Sequence, residues 1–286
     1  MAVIFSLIPW AVLAGEYPYG KNMTVIGAPK TYTVPGENDS LIEIARKFNL
    51  GFNAIADANP TLDPFVPGAG AAVILPTTWI LPDVAIHKGI IINISEMRLY
   101  YFPPKNGSTH VITFPIGTGS EENNTPQGRF KIIQKIVKPA WHVPASVKKE
   151  KPELPDVVPP GPDNPLGTHA MRLSLGAYLI HGTNRPFGVG RRVSHGCIRL
   201  YPEDIPQLFR QVPMSTAVSM VRQPVKVGSK SGRIYIEVHS DEDNKLNNFN
   251  EAIRLLTKNS LLKNISTAKL YRALAEKRGF PVDITQ

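Results

Sequence analysis

With 286 residues, of which 42% are hydrophobic and 19% charged, the chain is long enough for one large domain and a small one, and its composition is that of a globular protein with a real core. A formal net charge of +9 suits an anionic partner, nucleic acid or a cell-envelope polymer, but no arginine-rich run with interleaved aromatics is present, which sets nucleic acid aside. The single cysteine, Cys197, excludes an internal disulfide framework.

Residues 2–15, AVIFSLIPWAVLAG, resemble the apolar region of a secretory signal peptide, with Val12-Leu13-Ala14 as a small-residue cleavage site. The run is shorter than the roughly 20 residues of a membrane span, and Pro9 interrupts it. Its usual basic flank is missing, which leaves room for a start upstream of Met1; a buried N-terminal strand is the alternative. Export would place Cys197 in an oxidising compartment, where an unpaired thiol is a liability unless it is used.

Residues 16–31 read as a lead-in strand and loop. A short β run at Tyr32-Thr-Val34 and a turn at Pro35-Gly36 precede a helix over Ile42 to Phe48, capped at Asp39 or Ser40. Leu41, Ile44, Ala45 and Phe48 fall on one face of that helix. A second helix fits Phe52 to Asn59, ended by Pro60, and Ala71 to Leu75 reads as a returning strand. The β-α-α-β order, with Tyr32-Thr-Val, Ser40-Leu41, Ile44-Ala45, Ala58-Asn59-Pro60 and a strand ending at Pro76, resembles a LysM module. The resemblance places such a domain at 31–77 and implies binding to polymers containing N-acetylglucosamine; an adaptor that packs on the next domain is the alternative.

From Val84 the pattern is β-rich. Gly89 to Ile94 is a nearly continuous apolar run suited to a strand buried on both faces, and Met97 to Phe102 pairs with it across Ser95-Glu96. Further strands are expected at His110 to Pro115, Lys131 to Lys138, Met171 to Leu175, Ala177 to His181, Ala217 to Val221 and Arg233 to Val238. Thr125-Pro126-Gln-Gly128 reads as ordinary turn chemistry. Residues 139–165 hold eight of the 27 prolines, and the spacing predicts no regular ladder or helix there. A loop this long inside a compact domain is expected to wall a cleft, with Trp141 and His142 near its entrance. Tyr201 to Arg210 reads as a helix with Pro202 in its first turn, Pro224 to Gly228 as a turn, and helices are expected near 246–258 and 266–278.

The chemistry concentrates between Tyr178 and Leu200. Cys197 has His195 two residues before it and His181 sixteen residues before it, and Gly182 and Gly196 leave backbone room beside the reactive side chains. A thiol attacks well only as thiolate, and an imidazole can take its proton. His181, at the end of a strand, is the candidate base, and a carbonyl near Gly182-Thr183 is the candidate to orient it. N–H groups around Gly196 and Cys197 are candidate oxyanion donors. Arg199, two residues beyond Cys197, could face the same cleft and bind a carboxylate, as could Arg191. A zinc site built from His181, His195 and Cys197 is the rival reading of the same residues.

The sequence His181-Gly182-Thr183 followed by Ser194-His195-Gly196-Cys197-Ile198-Arg199 resembles the motif of the L,D-transpeptidase (YkuD-type) catalytic domain, over residues 85–222, and the accompanying modules resemble its ErfK-like subgroup. The resemblance implies a mainly β, β-sandwich-like catalytic domain preceded by the small α+β LysM-like domain and followed by a C-terminal extension with helices at 223–286. It implies acyl transfer on peptidoglycan stem peptides with Cys197 and His181 catalytic, Ser194, His195, Gly196 and Gly182 supporting, and Arg199, Trp141 and Arg191 binding substrate, with no cofactor and no metal. It also implies a periplasmic or envelope location and, as a possible acceptor, an outer-membrane lipoprotein. A hydrolase on the same scaffold and a non-catalytic wall-binding protein are the alternatives.

Overall fold

The computed structural model describes residues 15–20, 23–36, 39–104, 109–241, 243 and 246–286. The signal-like segment therefore lies outside the described residues except for Gly15. The chain is mainly β, as its pattern predicts, and its centre is the hairpin Gly89–Asn93 with Arg98–Phe102, in register from Gly89 opposite Phe102 to Asn93 opposite Arg98. Around it runs a nine-stranded sheet in the order Glu16–Pro18, His110–Pro115, Arg98–Phe102, Gly89–Asn93, Ala217–Val221, Gly128–Val137, His169–Leu173, Leu179–His181 and Ile198–Arg199. Gly89–Asn93 is parallel to Ala217–Val221, and Leu179–His181 is parallel to Ile198–Arg199.

The middle of this sheet is apolar on both sides. Ile90, Ile92, Leu99 and Phe114 join a core with Met171, Ile180, Ile198, Ile205 and Leu208. Ile91, Tyr100, Phe102 and Val111 point the other way and join a second core with Leu41, Ile44, Leu50, Ile55, Val73 and Trp79. Successive strand residues alternate faces, so both sets must be covered. The helix Ile205–Gln211 lies over the first face, and the N-terminal module covers the second.

That module has the predicted β-α-α-β order: Lys30–Thr33 pairs antiparallel with Ala72–Leu75, and the helices Leu41–Lys47 and Phe52–Ala58 lie between them in sequence. The first helix starts at Ser40, whose hydroxyl accepts from Glu43 N–H while the Glu43 carboxylate accepts from Ser40 N–H. Such a cap contributes about 1 kcal/mol. Leu41, Ile44 and Ala45 form the buried face predicted from their spacing.

Three expectations are corrected. The proline-rich stretch does contain regular structure: the helix Ala145–Glu150 and the two-residue ladder of Trp141–His142 with Val157–Val158. Both fit because the prolines flank these short runs rather than interrupt them, Pro144 serving as the helix N-cap. The helix after the Cys197 segment begins at Ile205 rather than near Pro202; the Asp204 side chain makes no cap hydrogen bond, and Asn49 Nδ2 donates to both of its oxygens, at 2.8 and 2.9 Å. Residues Pro224 to Gly228 are not a turn but lie mostly in the strand Val225–Lys230, which pairs along its whole length with Arg233–Val238.

This second sheet, with the helices Asn248–Lys258 and Thr267–Glu276, makes a third core. It is joined to the central hairpin by buried charge. Lys226 Nζ pairs with Glu96 and, at 2.9 Å, with Glu237; Glu237 accepts from Ile80 N–H at 2.6 Å and contacts His239 Nε2 at 2.7 Å. Removing one member of a buried pair leaves an uncompensated charge. Lys226→Met, which keeps the stem and deletes the ammonium, is expected to lower stability by about 3–5 kcal/mol in urea unfolding. A loss under about 1 kcal/mol, the range of an exposed pair, would contradict this account of the junction.

Candidate active site

Two short parallel strands set the site. Leu179–His181 and Ile198–Arg199 align Ile180 with Ile198 and His181 with Arg199. Ile180, Ile198 and Leu200 point into the core, so alternation turns His181 and Arg199 to the opposite face, and Cys197 enters the strand on that side. There they line a cleft of about 290 Å³ with Tyr178, Trp141 and Leu166.

His181 is 3% exposed. Its Nδ1 lies 2.6 Å from the Gly182 carbonyl oxygen, an acceptor without a proton of its own, so Nδ1 donates and Nε2 carries the lone pair. This is the orienting carbonyl expected near Gly182-Thr183. Gly182 is tightly packed: a Cβ there would stand 2.9 Å from Ile205 Cγ2. Burial pushes the imidazole pKa down to about 3, the Arg199 charge adds to the shift, and the Gly182 and Leu166 carbonyls oppose it. The ring is therefore neutral throughout the neutral pH range, with the Nε2 lone pair unprotonated.

Cys197 sits between Arg192–Ser194 and Ile198–Arg199 and is half-buried. Burial pushes its thiol pKa up; a backbone hydrogen bond from Leu179 and the charges of Arg199 and Arg172 act against this. The preceding loop is tied by Ser194, whose hydroxyl donates to the Cys197 carbonyl at 2.6 Å and accepts from Gly196 N–H at 3.1 Å. Gly196 N–H, expected as an oxyanion donor, is thus occupied by the loop's own turn. Gly196 has φ +96°, and a Cβ there would stand 2.7 Å from Tyr178 Cε1, so conformation and packing both demand glycine.

Thr125 is the residue that sequence reasoning passed over. Its hydroxyl donates to the Gly196 carbonyl at 3.0 Å and accepts from Gly119 N–H at 2.9 Å. It thereby fastens the Cys197 loop to the neighbouring strand pair, Thr118–Gly119 with Arg192–Ser194. The Thr-Pro-x-Gly pattern was the signal available, and its turn-forming residues masked the hydroxyl's second partner.

The proline-rich loop does wall the cleft: Trp141, Pro144, Ser146, Val147 and Pro165 line it, while His142 is exposed and does not. His195 stands at the rim, with Nε2 3.4 Å from Glu150 Oε2 on the loop's helix. Arg199 lines the cleft, and its Nε is buried without a hydrogen-bond partner. Arg191 does not belong to the cleft. Its guanidinium lies over the Phe52 ring, 3.9 Å from the centroid, and this contact with the N-terminal module turns it toward a separate pocket that it shares with Asn53. Among the described residues the one group with metal-ligand spacing is Glu96, Glu237 and His239, and the Lys226 ammonium already pairs with both of its carboxylates.

A cleft holding a thiol, a neutral oriented imidazole and an unpaired guanidinium is equipped for nucleophilic acyl chemistry. Comparison with known proteins gives the family. The L,D-transpeptidase catalytic domain family YkuD matches residues 87–227. The probable L,D-transpeptidase YcfS of Escherichia coli is 39% identical over 275 residues, covering 91% of this chain and 85% of its own. The probable L,D-transpeptidase YbiS of Escherichia coli is 42% identical over 249 residues, 84% of this chain and 80% of its own. The probable L,D-transpeptidase ErfK/SrfK of Salmonella typhimurium is 35% identical over 288 residues, 96% of this chain and 92% of its own. The chain belongs to the YkuD-type L,D-transpeptidases.

Because burial raises the Cys197 thiol, the thiolate fraction at neutral pH is small. Alkylation of the unliganded protein by iodoacetamide, followed by mass spectrometry at Cys197, is expected to keep rising past the pH at which a free cysteine levels off. A plateau on the acid side of the free-cysteine value would mean a preformed thiolate and would overturn the assignment of burial as the dominant influence.

Proposed function

We propose that the protein is a cysteine acyltransferase acting on peptidoglycan tetrapeptide stems. The observation that supports this best is the shared cleft of Cys197 and His181, with His181 Nδ1 held by the Gly182 carbonyl so that Nε2 is left for the thiol. Cys197 Sγ attacks the carbonyl of the third stem residue as its proton passes to His181. The C–N bond to D-alanine breaks, the leaving amine takes that proton, and a thioester remains. An acceptor amine then attacks the thioester, its proton passes through His181 to the departing sulfur, and a new amide forms. The backbone N–H of Cys197 is the oxyanion donor in this reading, since Gly196 N–H is occupied.

Arg199 is assigned to a substrate carboxylate, because it is the cleft's guanidinium and its buried Nε lacks a partner. Trp141 supplies an apolar wall of the same cleft. The acceptor is either the side-chain amine of a second stem, giving a 3→3 cross-link, or a lysine of an outer-membrane lipoprotein. The envelope is the corresponding location, and the N-terminal module is assigned as LysM-like. Among the described residues no helix is long and apolar enough to cross a membrane.

Incubating the protein and its Cys197→Ala variant with purified disaccharide-tetrapeptide tests the reaction by mass spectrometry. Loss of D-alanine with a cross-linked dimer, in wild type alone, is the expected result. Tripeptide without dimer, even when a lysine-ended lipoprotein peptide is supplied, would replace transfer by hydrolysis. Arg199→Lys keeps the charge and loses the planar fork; it is expected to raise KM for the tetrapeptide about tenfold, with kcat less affected. Unaltered KM would remove Arg199 from substrate binding.

A further inference from the structure

The corner between the two helices of the N-terminal module, residues 46–53, touches the catalytic domain at both ends of the segment that carries Cys197. On the upstream side Phe52 N–H donates to the Val189 carbonyl at 3.3 Å and Asn53 N–H to the Gly190 carbonyl at 3.2 Å. The two backbones cross with no side chain between them: a Cβ added to Gly51 would stand 2.8 Å from Gly190 Cα. Gly190 itself has φ +78°. The Arg191 guanidinium covers the Phe52 ring.

On the downstream side Asn49 Nδ2 donates to both oxygens of the buried Asp204. Arg46 forks onto Glu203, with Nε 2.8 Å from one oxygen and Nη2 3.0 Å from the other. Tyr201 O–H donates to the Leu50 carbonyl at 3.0 Å. Ser194, Cys197 and Arg199 lie between these two sets of contacts. His181 is held by its own strand between His169–Leu173 and Ile198–Arg199. The corner therefore reaches the flanks of the Cys197 segment, while the His181 strand meets that segment through its own parallel pairing with Ile198–Arg199.

We propose that the corner Arg46–Asn53 is a positioning element of the active site, with Asn49 and Gly51 as positioning residues that set where Cys197 stands relative to His181. The N-terminal module then serves catalysis directly, whether or not it contacts glycan. The proposal rests on Cys197 being the nucleophile. It follows from the geometry because one turn contacts both flanks of the segment that carries Cys197. A shift of that turn acts directly on the flanks of the Cys197 segment, and on His181 only through the pairing with Ile198–Arg199.

The test uses the full chain and the variants Gly51→Ala, which wedges the crossing, and Asn49→Ser, which is too short to span to Asp204. Phe65→Ala, on an exposed loop of the same module, is the control. Three quantities are read: the rate of Cys197 alkylation by iodoacetamide across pH, kcat and KM for disaccharide-tetrapeptide, and the melting temperature. The expected result is that both corner variants, still folded, lose about 10- to 100-fold in kcat, as a displacement near 1 Å produces. Their alkylation falls with kcat, KM changes little, and Phe65→Ala matches wild type. Wild-type alkylation and kcat in whichever corner variant folds would overturn the proposal, as would equal losses in Phe65→Ala. Alkylation needs no stem peptide, so failure to form any transpeptidation product would refute the proposed reaction while leaving this comparison readable.

Discussion

A sheet that is apolar on both faces cannot stand alone in water. Ile90 and Ile92 face one way and Ile91 the other, and in the partner strand Leu99 and Tyr101 oppose Tyr100 and Phe102. Each fully buried side chain of this kind contributes about 1.5–3 kcal/mol, and that contribution is lost if its face is left uncovered. The N-terminal module is the cover for one face, which makes it a structural layer of the catalytic domain rather than a tethered attachment. Arg98 illustrates the fit. It is 3% exposed, lies over the Trp79 ring at 4.2 Å, and donates to Thr113 Oγ1 at 3.0 Å, so contacts from several elements hold a charge that burial disfavours.

The C-terminal region is joined by different physics. Lys226, Glu96, Glu237 and His239 meet at a point reached by the central hairpin, the strand Thr78–Ile80 and the second sheet. Tyr100 O–H donates to Glu96, and Asn93 Nδ2 does so at 2.8 Å. Apolar contact tolerates small slips in position; a buried ion pair with satisfied hydrogen bonds does not. Here it specifies a single docking of the second sheet on the hairpin.

At the site, one cause acts on two groups in opposite directions. Burial disfavours charge, so it raises the thiol of Cys197 and lowers the imidazolium of His181. The resting pair is accordingly neutral, and in the proposed reaction the proton moves as the sulfur attacks. Charge then develops on the substrate oxygen in a cleft lined by Arg199, whose charge, with that of Arg172, acts to lower the thiol pKa. Thr125 and Ser194 keep the loop in place by saturating the carbonyl and N–H of Gly196.

The sequence by itself determined the family and most of the regular elements. The Ser-His-Gly-Cys motif and its upstream histidine are local in the chain, and helix faces and buried strands follow from side-chain periodicity, as with Leu41, Ile44 and Ala45 or the run from Gly89 to Ile94. Capping at Ser40 was legible for the same reason. What only the tertiary structure decided depends on residues distant in sequence. Arg191 read as a cleft residue by proximity to Cys197, yet Phe52, well over a hundred residues earlier, takes its guanidinium. Tyr201 to Arg210 read as one helix, yet it begins only at Ile205, and Asn49 holds the carboxylate of the preceding Asp204. Thr125 read as a turn residue, yet its hydroxyl holds a carbonyl 71 positions away. Hydrogen-bonding groups have directional, saturable capacity, and local pattern reveals that capacity without revealing which distant partner fills it.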